Sequence, residues 1–562
     1  MRAMMTAGPA LERDHMAGYN CSFIVVDHPR AFDECLYILT CGTGVGFSCE
    51  QHEVAKLPEV PEELHATDST IVVADSRIGW ASAYRELIHL LYAGKIPRFD
   101  VSRVRAKGER LRTFGGRASG PDPLVDLFNH TIGVFTGAAG RKLSDIEVHG
   151  IMCKIGQVVV VGGVRRSALI SLSSLGSHAM RDAKAGDWGK SSPHYALANN
   201  SAVYDEPPTM ATFMPEWYAL YRSKSGERGI YNRKGMRDKT AAIGKRDPSQ
   251  IKGTNPCAEI ALRNAGLCNL SEIVVRPHDT PQTLERKAYL AAVIGTVQAT
   301  FTNFRYVRPI WKRNAEEERL LGVSMTGIYD NPLTYTLGDE LEALLEHLKD
   351  TVNRANAEWS IKLGINPAAA STCVKPSGTV GQLVHSGNGI HPRHSRYYIR
   401  AVRQDNKDPV TQLLKAHGVP HEPDIMAEDS VTVFYFPMEV PEGAPTRDDV
   451  DALSHLELWR TYNKHWAEHQ VSITVSIEED QWMEVGAWVY KHFDEITGVS
   501  FLPMNKGTYK QAPYDECSRE VYEKALAAMP EIDWGMLSLF ESDDRTTSSQ
   551  ELACVGGACE VL

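Results

Sequence analysis

Hydrophobic and polar positions follow two different periods along this chain. Residues 79–95 place apolar side chains at helical spacing with a glycine near the end, which predicts an amphipathic helix, and three further segments share the pattern: 124–139, 285–303 and 340–363. Short runs rich in β-branched residues lie between them and predict buried strands: 22–26, 70–74, 157–164, 272–275 and 431–435. Helices that alternate with buried strands indicate an α/β fold with much parallel sheet. A closed barrel and an open doubly wound sheet both fit this pattern.

Length and composition narrow the class of protein. The chain has 562 residues, of which 43% are hydrophobic, which is an ordinary globular composition. Its length exceeds what a single simple hydrophobic core usually supports. No apolar run is long enough to span a membrane, and the first residues lack the apolar core of a secretory signal, so we expect a cytoplasmic protein. The net charge is −11, and acidic and basic residues are interspersed. The sequence therefore lacks the concentrated basic region typical of proteins that bind DNA directly.

The chain contains eleven cysteines, and in a reducing compartment these are expected to be free thiols rather than a structural disulfide framework. Cys35, Cys41, Cys153 and Cys373 lie in apolar stretches, and we interpret them as small buried core residues. Two other segments place cysteines in contexts that indicate chemistry.

The first such segment runs from Asn255 through Pro256, Cys257 and Ala258 to Glu259. On an extended backbone the side chains of Cys257 and Glu259 project to the same side, and Asn255 joins them. This spacing would gather a sulfur, a carboxylate and an amide around one small volume. An Asn-Pro turn that leads into a strand with one buried cysteine explains the motif equally well.

The second segment is the C-terminus. From about Glu541 the sequence is polar and unpatterned, which predicts a mobile tail over 541–562 after a catalytic body over 1–540. Near its end, Cys554 and Cys559 are separated by four residues that include two glycines, so they can close into a small disulfide ring. Half of a zinc site and an incidental pair are the alternatives. No further cysteine or histidine ligand is adjacent, which favours a redox shuttle and predicts no metal site.

Two loops could contact phosphates or nucleotides. Ser377, Gly378 and Thr379 precede a predicted helix start and could present N–H groups and hydroxyls to an anion, although a simple capped helix start fits as well. The turn over 162–167 carries two arginines after a strand, which suits either a nucleotide contact or a surface turn. The glycines over 42–46 lack the spacing of a dinucleotide fingerprint.

Taken together, these segments resemble one family from Met1 to Leu562: the adenosylcobalamin-dependent, class II ribonucleoside-triphosphate reductases of the monomeric phage and bacterial type. The resemblance is carried by Asn-Pro-Cys-x-Glu-Ile with Cys-Asn-Leu eleven residues on, by Lys-Pro-Ser-Gly-Thr-Val and by the terminal Ala-Cys-Val-Gly-Gly-Ala-Cys. It implies a ten-stranded α/β barrel with a central finger loop, and reduction of ribonucleotides, expected to be triphosphates, for DNA synthesis. Family members generally carry a further N-terminal segment, so this chain is expected to be N-terminally shortened.

The resemblance also implies a role for each site residue. Cys257 would carry the thiyl radical that takes hydrogen from the ribose C3′. Glu259 would be the general base on the 3′-hydroxyl, and Asn255 would hydrogen-bond the same hydroxyl. The redox cysteines would be Cys21 with Cys268, which reduce the intermediate, and Cys554 with Cys559, which re-reduce that pair and are recharged by thioredoxin or a glutaredoxin-like protein. Substrate phosphates would bind Pro376, Ser377, Gly378 and Thr379. The residues that report deoxynucleotide effectors to the base pocket would be Gly163, Arg165, Arg166 and Ser167.

The radical source follows from comparison of the reductase classes. A glycyl-radical enzyme would need a C-terminal glycyl-radical loop, and a chain served by a separate metal-containing subunit would place two adjacent tyrosines before the tail, whereas Tyr509 and Tyr514 are not adjacent. Adenosylcobalamin is therefore the expected cofactor. No Asp-x-His-x-x-Gly motif is present, so no protein histidine is expected to replace its base. The alternatives are a catalytic subunit with a separate radical-generating subunit, an inactive nucleotide-binding paralogue, and an unrelated thiol–disulfide oxidoreductase. A monomer or a dimer is expected.

Overall fold

The computed structural model describes residues 7–106, 118–161, 164–165, 167–406, 408–425, 428, 431–504, 510–541, 554–555 and 558–559. The strands are β1 Cys21–Val25, β2 Gly44–Ser48, β3 His65–Val72, β4 Lys95–Asp100, β5 Val160–Val161, β6 Val164–Arg165, β7 Leu169–Ser174, β8 Ala198–Tyr204, β9 Gly229–Asn232, β10 Gly253–Thr254, β11 Ala261–Leu262, β12 Gly266–Val274, β13 Leu321–Thr326, β14 Tyr397–Asp405, β15 His421–Pro423, β16 Val431–Glu439, β17 Thr474–Ile477, β18 Gly498–Pro503, β19 Tyr514–Glu516, β20 Cys554–Val555 and β21 Ala558–Cys559.

The α-helices are α1 Pro9–Arg13, α2 Arg30–Thr40, α3 Gln51–Val54, α4 Arg77–Tyr92, α5 Asp122–Gly137, α6 Asp145–Val158, α7 His178–Arg181, α8 Trp188–Ser191, α9 Met210–Ser223, α10 Arg233–Ile243, α11 Pro281–Gln298, α12 Pro309–Glu318, α13 Pro332–Tyr335, α14 Asp339–Leu363, α15 Gly378–Leu383, α16 Pro409–Ala416, α17 Ala452–His465, α18 Trp482–Lys491, α19 Arg519–Ala527 and α20 Leu537–Glu541. Across the part of the chain that the structure describes, no helix is both long and apolar enough to cross a membrane.

One nine-stranded sheet organises the protein. Its strand order is β13-β12-β1-β2-β7-β8-β9-β18-β17. Neighbouring strands run parallel except at two junctions, β1 with β12 and β9 with β18, where they run antiparallel. Helices connect most of the parallel neighbours, as βαβ connections require. The fold is therefore mixed α/β, as the alternation of helical and strand patterns predicts.

A short segment, residues 370–374, hydrogen-bonds to both edges of this sheet. On one side, the N–H of Val323 in β13 donates to the carbonyl of Ser371 at 2.8 Å. On the other side, the N–H of Val374 donates to Gln470 at 3.1 Å and its carbonyl accepts from Ser472 at 2.9 Å. Residues 469–472 lead directly into β17, the opposite edge strand.

The two faces of the sheet pack against different layers. β1 shows the alternation: Phe23 and Val25 face one buried cluster, whereas Ile24 faces the core formed with α2, α4, α5 and α6. A second large core lies where α11, α14, α17 and α18 pack on β13 and β17. The cluster on the other face is smaller and includes Cys21, Cys268 and Ile260, so the candidate site lies within it.

The four predicted helices correspond to α4, α5, α11 and α14, each shifted by a few residues. Local sequence explains some of these boundaries, since the Thr280 side chain caps α11 and Pro281 occupies its first turn. The strand predicted over 157–164 is wrong at its start, because α6 continues to Val158 and only short β5 and β6 follow. A β-branched run of valines fits either state, and the capping box of Ser144 and Glu147 starts the helix that extends into it.

Two smaller sheets lie outside the main one. β3 and β4 pair in parallel and pack with α4. β15, β16, β14 and β19 form a four-stranded antiparallel sheet late in the chain. The predicted strand over 431–435 begins β16, which extends to Glu439.

Candidate active site

A short hairpin carries the Asn-Pro-Cys-x-Glu motif. β10 and β11 pair antiparallel, with Thr254 opposite Ala261, so residues 255–260 form the loop between them, which we call the finger loop. At its tip the N–H of Ala258 donates to the carbonyl of Asn255 at 2.9 Å, and Ala258 has a φ of 60°. The backbone is therefore not extended along the whole motif, which was one of the two arrangements considered: the tip is a tight turn with a left-handed residue, a conformation that non-glycine residues adopt only when the surroundings enforce it.

The side chain of Asn255 holds the finger loop in this shape. Its Oδ1 accepts hydrogen bonds from the backbone N–H groups of Glu259 at 3.1 Å and Ile260 at 2.9 Å. Its Nδ2 donates to the Cys21 sulfur at 3.2 Å. One amide thus fixes the loop backbone and links it to β1.

Glycines on β2 make room for the finger loop. A Cβ atom at Gly46 would lie 1.8 Å from the Thr254 carbonyl oxygen, and one at Gly44 would lie 3.0 Å from the Pro256 ring. Since no side chain fits at the first distance, Gly46 is required for the close backbone approach. The glycine run over 42–46, which does not have the spacing of a dinucleotide site, has this packing role instead.

Cys21 and Cys268 lie directly opposite each other in the β1–β12 pair. Such pairs have Cα atoms about 4.5 to 5.5 Å apart, within the range of about 4.4 to 6.8 Å that a disulfide bridges. Both are free thiols with 1% and 0% of their surface exposed. Burial, followed by the nearby Glu259 carboxylate, raises the pKa of both thiols well above the usual value. The pair is therefore protonated near neutral pH and positioned to become a disulfide.

Glu259 joins the finger loop to this cysteine pair. The Cys21 sulfur lies 3.9 Å from Glu259 Oε1. The carboxylate is fully buried, and its Oε2 has no hydrogen-bond partner among the described residues. Burying a carboxylate oxygen without a partner is costly, so this atom is available to a hydroxyl group that enters the site.

Only part of the finger loop is accessible. Cys257 and Ala258 are half-exposed, whereas residues 253–256 and 259–260 are buried. Cys257, at the tip, is therefore accessible from outside the buried cluster, whereas Glu259 lies within it.

Two charged residues complete the cluster, and neither is among the site residues expected from the sequence. Lys375 Nζ lies 3.6 Å from the Cys257 sulfur and 3.4 Å from Glu259 Oε1. Glu272 lies on β12, two positions beyond Leu270 and four beyond Cys268, and therefore on the same face of the strand. Lys375 immediately precedes the Pro-Ser-Gly-Thr run, and this adjacency was the available signal. Glu272 is the one charged residue of β12, which was the available signal for the second carboxyl.

Glu272 is half-buried, and its Oε1 is shielded from solvent without a hydrogen-bond partner among the described residues. Burial raises its pKa to about 8, a shift that Lys375 moderates and Glu259 reinforces. Because the folded-state pKa lies above the unfolded one, Glu272 favours folding at low pH, and this contribution is lost as pH rises from about 4.5 to about 8.

We therefore expect Glu272→Gln to unfold within about one degree of the unsubstituted protein at pH 5 and a few degrees higher at pH 9, as measured by thermal unfolding. Glu59→Gln, at an exposed position, is the matched control and should show the same difference at both pH values. An equal Tm difference for Glu272→Gln at pH 5 and pH 9 would contradict this ionisation.

Comparisons with known proteins agree with this arrangement. Residues 56–134 match the family model described as "B12-dependent ribonucleotide reductase, insertion domain". The chain is 28% identical to the adenosylcobalamin-dependent ribonucleoside-triphosphate reductase of Euglena gracilis, over 92% of this chain and 70% of that protein. It is 28% identical to the enzyme of the same name from Lactobacillus delbrueckii subsp. bulgaricus, over 94% of this chain and 79% of that protein. A crystal structure of a B12-dependent (class II) ribonucleotide reductase superposes with a TM-score of 0.82 at 24% identity, over 95% of this chain and 85% of that one.

Over more than nine-tenths of its length, the chain is similar to adenosylcobalamin-dependent, class II ribonucleotide reductases.

Ser377, in the predicted phosphate loop, has a φ of 59° and precedes the short helix α15. Its hydroxyl donates to the Lys375 carbonyl at 3.3 Å instead of capping the helix. Pro376 and Ser377 are buried, Gly378 is half-buried, and the side chain of Thr379 lies outside the described residues. Through Lys375 this loop adjoins the finger loop, and its role in phosphate binding stays a prediction.

The structure describes the predicted effector loop only in part. Arg165 lies in β6, which pairs with β5, while Gly163 and Arg166 lie outside the described residues. Ser167 is 3% exposed, and its hydroxyl has no hydrogen-bond partner in the described part of the chain. The effector role of this loop stays a prediction.

The predicted redox pair of the tail lies in a two-stranded element. β20 and β21 pair antiparallel with Cys554 opposite Cys559, a register that fits disulfide formation. The rest of the predicted tail beyond Glu541 lies outside the described residues.

The four cysteines interpreted as core residues are all fully buried. Cys35, Cys41 and Cys153 lie in the core formed with α2 and α6, which confirms the prediction for them. Cys373 is also buried, but it packs in the cluster that contains Cys21 and Cys268.

Proposed function

We propose that this chain reduces ribonucleoside triphosphates to 2′-deoxyribonucleotides with a thiyl radical on Cys257. One observation carries the proposal: the finger loop brings Cys257 and Glu259 next to the buried, disulfide-ready pair Cys21 and Cys268. A radical thiol, a base and a dithiol are the three groups that such a reduction needs. The relatives of this chain bear the name of that activity.

Each residue has one chemical task in this proposal. Cys257 abstracts the hydrogen atom from C3′ of the ribose and returns it at the end of the cycle. Glu259 takes the proton of the 3′-hydroxyl on its unpartnered Oε2, while the 2′-hydroxyl leaves as water. Asn255 keeps the finger loop in shape and is expected to hydrogen-bond the same hydroxyl. Burial of Glu259 excludes water from the base.

Cys21 and Cys268 supply the reducing equivalents. The two thiols give up two protons and two electrons to the substrate, which replaces the C2′–O bond by C2′–H and releases water, and the two sulfurs join as a disulfide. Their raised thiol pKa keeps both protons in place until the substrate needs them. Cys554 and Cys559 then reduce this disulfide by exchange and are recharged by thioredoxin or a glutaredoxin-like protein.

Adenosylcobalamin fits the accessible side of the finger loop. Cys257 and Ala258 are its half-exposed residues, and Asn199 lies beside them, donating its amide to the Pro256 carbonyl at 3.4 Å. These three residues would hold the reactive end of the cofactor. When bound, adenosylcobalamin supplies the radical chemistry that removes the hydrogen atom from Cys257.

We further propose that the nine-stranded sheet closes as a ten-stranded α/β barrel around the finger loop. The segment over 370–374 supports this, because it hydrogen-bonds both to β13 and to the residues that precede β17. The inner cluster supports it as well, since residues of five main-sheet strands in it surround Ile260 and Leu262 of the finger hairpin. The proposal includes a cytoplasmic location, the C-terminal redox tail and deoxynucleotide effectors at the loop over 163–167.

The substrate class is tested by product formation from matched ribonucleoside triphosphates and diphosphates with a small dithiol and adenosylcobalamin. We expect deoxynucleotide from the triphosphate at a kcat/KM at least about tenfold higher, a difference of about 1.4 kcal/mol in transition-state binding. A preference for the diphosphate would contradict the triphosphate assignment and leave the reduction itself in place.

Glu259→Gln tests the general base. The amide keeps the size of the carboxylate but cannot take a proton, so kcat should fall by about 100- to 10,000-fold with little change in KM. Steady-state kinetics measures both constants, and thermal unfolding checks that the variant is folded. Loss of less than about threefold in kcat would assign the base to another residue.

A further inference from the structure

Lys375 occupies the space between the two reacting groups of the finger loop. Its Nζ lies 3.6 Å from the Cys257 sulfur and 3.4 Å from Glu259 Oε1. The second distance is that of an ion pair rather than a short hydrogen bond. The lysine comes from a different part of the chain, so the contact depends on the fold.

The backbone of Lys375 is fixed on both sides. Its N–H donates to Ser324 Oγ at 2.8 Å, and its carbonyl accepts from Ser377 Oγ at 3.3 Å. The side chain is 27% exposed, whereas that of Glu259 is 0% exposed. The ammonium group therefore approaches the buried carboxylate from the side that a substrate would use.

The charges around this group are almost entirely negative or potentially negative. The titratable groups that face Lys375 or Glu259 are Cys21 of β1, Cys257 of the finger loop, Cys268 and Glu272 of β12, and Cys373 of the segment over 370–374. Burial lowers the pKa of Lys375, but Cys257 and Glu259 more than offset this, and the net pKa is well above the usual value. Lys375 is the one cation that contacts both Cys257 and Glu259 among the described residues.

We propose that Lys375 is a positioning residue for the reduction: its ammonium group holds the Glu259 carboxyl group and the Cys257 sulfur beside each other before the substrate binds. This inference rests on the proposed function, because it assigns Glu259 and Cys257 the roles given above.

The same contact orients the thiol. When an N–H of Lys375 points at a lone pair of the Cys257 sulfur, the S–H hydrogen is directed away from the lysine and toward the half-exposed side of the tip. A fixed thiol orientation lowers the entropy cost of hydrogen transfer, as for any preorganised reacting group.

The pH dependence of kcat/KM tests the effect on Glu259. An opposite charge within about 4–6 Å lowers a carboxyl pKa by about one to three units. Removal of the charge in Lys375→Met should therefore move the acidic limb of the profile to higher pH by at least about one unit and lower kcat/KM at pH 6 by at least about tenfold. Lys375→Arg retains the charge and should keep the acidic limb within about half a unit of the original.

A second measurement, the alkylation rate of Cys257, tests the Lys375–Cys257 contact and does not require catalytic activity. A neighbouring cation favours the thiolate, the form that iodoacetamide alkylates. Peptide mapping of the intact protein at pH 8 should show Cys257 alkylated at least about fivefold more slowly in Lys375→Met than in the unsubstituted chain. Cys517, which is half-exposed and remote, should be alkylated at the same rate in both.

The outcomes separate this inference from the proposed function. If the unsubstituted chain forms no deoxynucleotide, the proposed function fails, and the alkylation rates still decide whether Lys375 acts on Cys257. If the unsubstituted chain is active but Lys375→Met loses activity equally at every pH, the lysine is only structural and the inference is wrong. An unchanged alkylation rate of Cys257 in a folded Lys375→Met variant overturns it as well.

Discussion

Cys257→Ala is expected to reduce deoxyribonucleotide formation by at least about 1,000-fold, to background. The thiol at the finger tip is the half-exposed sulfur of the cluster, and no other described sulfur has its position beside both Glu259 and the accessible side. Without it no thiyl radical can form at the finger tip, and the nearby acids and bases transfer only protons. Product analysis by chromatography measures the loss.

Cys257→Ser distinguishes a loss of radical chemistry from a loss caused by the changed size of the side chain. Serine has nearly the size of cysteine, but its O–H bond is much stronger than S–H, so the variant should be as inactive as Cys257→Ala. Cys517→Ala is the matched control, since Cys517 is also half-exposed but lies beyond β19, and it should keep full activity. Substantial turnover by Cys257→Ser would contradict a thiyl radical at this position.

The second large effect concerns the tail. The double variant Cys554→Ser with Cys559→Ser should lose at least about 100-fold in turnover supported by thioredoxin, yet stay within about twofold when a small dithiol is the reductant. The reason is access: Cys21 and Cys268 are 1% and 0% exposed, so a protein reductant cannot reach them, whereas a small molecule can enter with the substrate.

Parallel steady-state assays with the two reductants measure this ratio, and each reductant serves as the control for the other. Equal loss with both would show that the tail cysteines do something other than shuttle electrons. Full activity with thioredoxin would show that Cys21 and Cys268 are reduced by another route.

Much of the fold follows from local sequence. Each of the four segments with helical periodicity is a helix, because one apolar face packs on a core. Four of the five β-branched runs overlap β1, β3, β12 and β16. The valine run over 157–164 was assigned wrongly, since the helix begun at its capping box continues into residues that also fit a strand. Cap geometry, rather than composition, sets that boundary.

The candidate site was predicted less evenly. Cys257, Glu259 and Asn255 were found from their spacing, although the backbone is not extended along the whole motif and the tip is a turn at Ala258. The turn depends on a non-local contact, the approach of Thr254 to Gly46, that no local pattern encodes.

Two other parts of the site also depend on non-local contacts that the local sequence does not encode. Cys21 entered only through the family resemblance, because nothing around it in the sequence marks it as a partner of Cys268, and the pairing arises from the β1–β12 register. Lys375 and Glu272 were missed because their importance lies in which side chains they approach.

The most direct test of this account is the formation of deoxynucleotide from a ribonucleoside triphosphate and a small dithiol, with and without adenosylcobalamin. The account predicts product that depends on the cofactor and disappears in Cys257→Ala. Product that forms equally well without adenosylcobalamin, or that persists in Cys257→Ala, would contradict it.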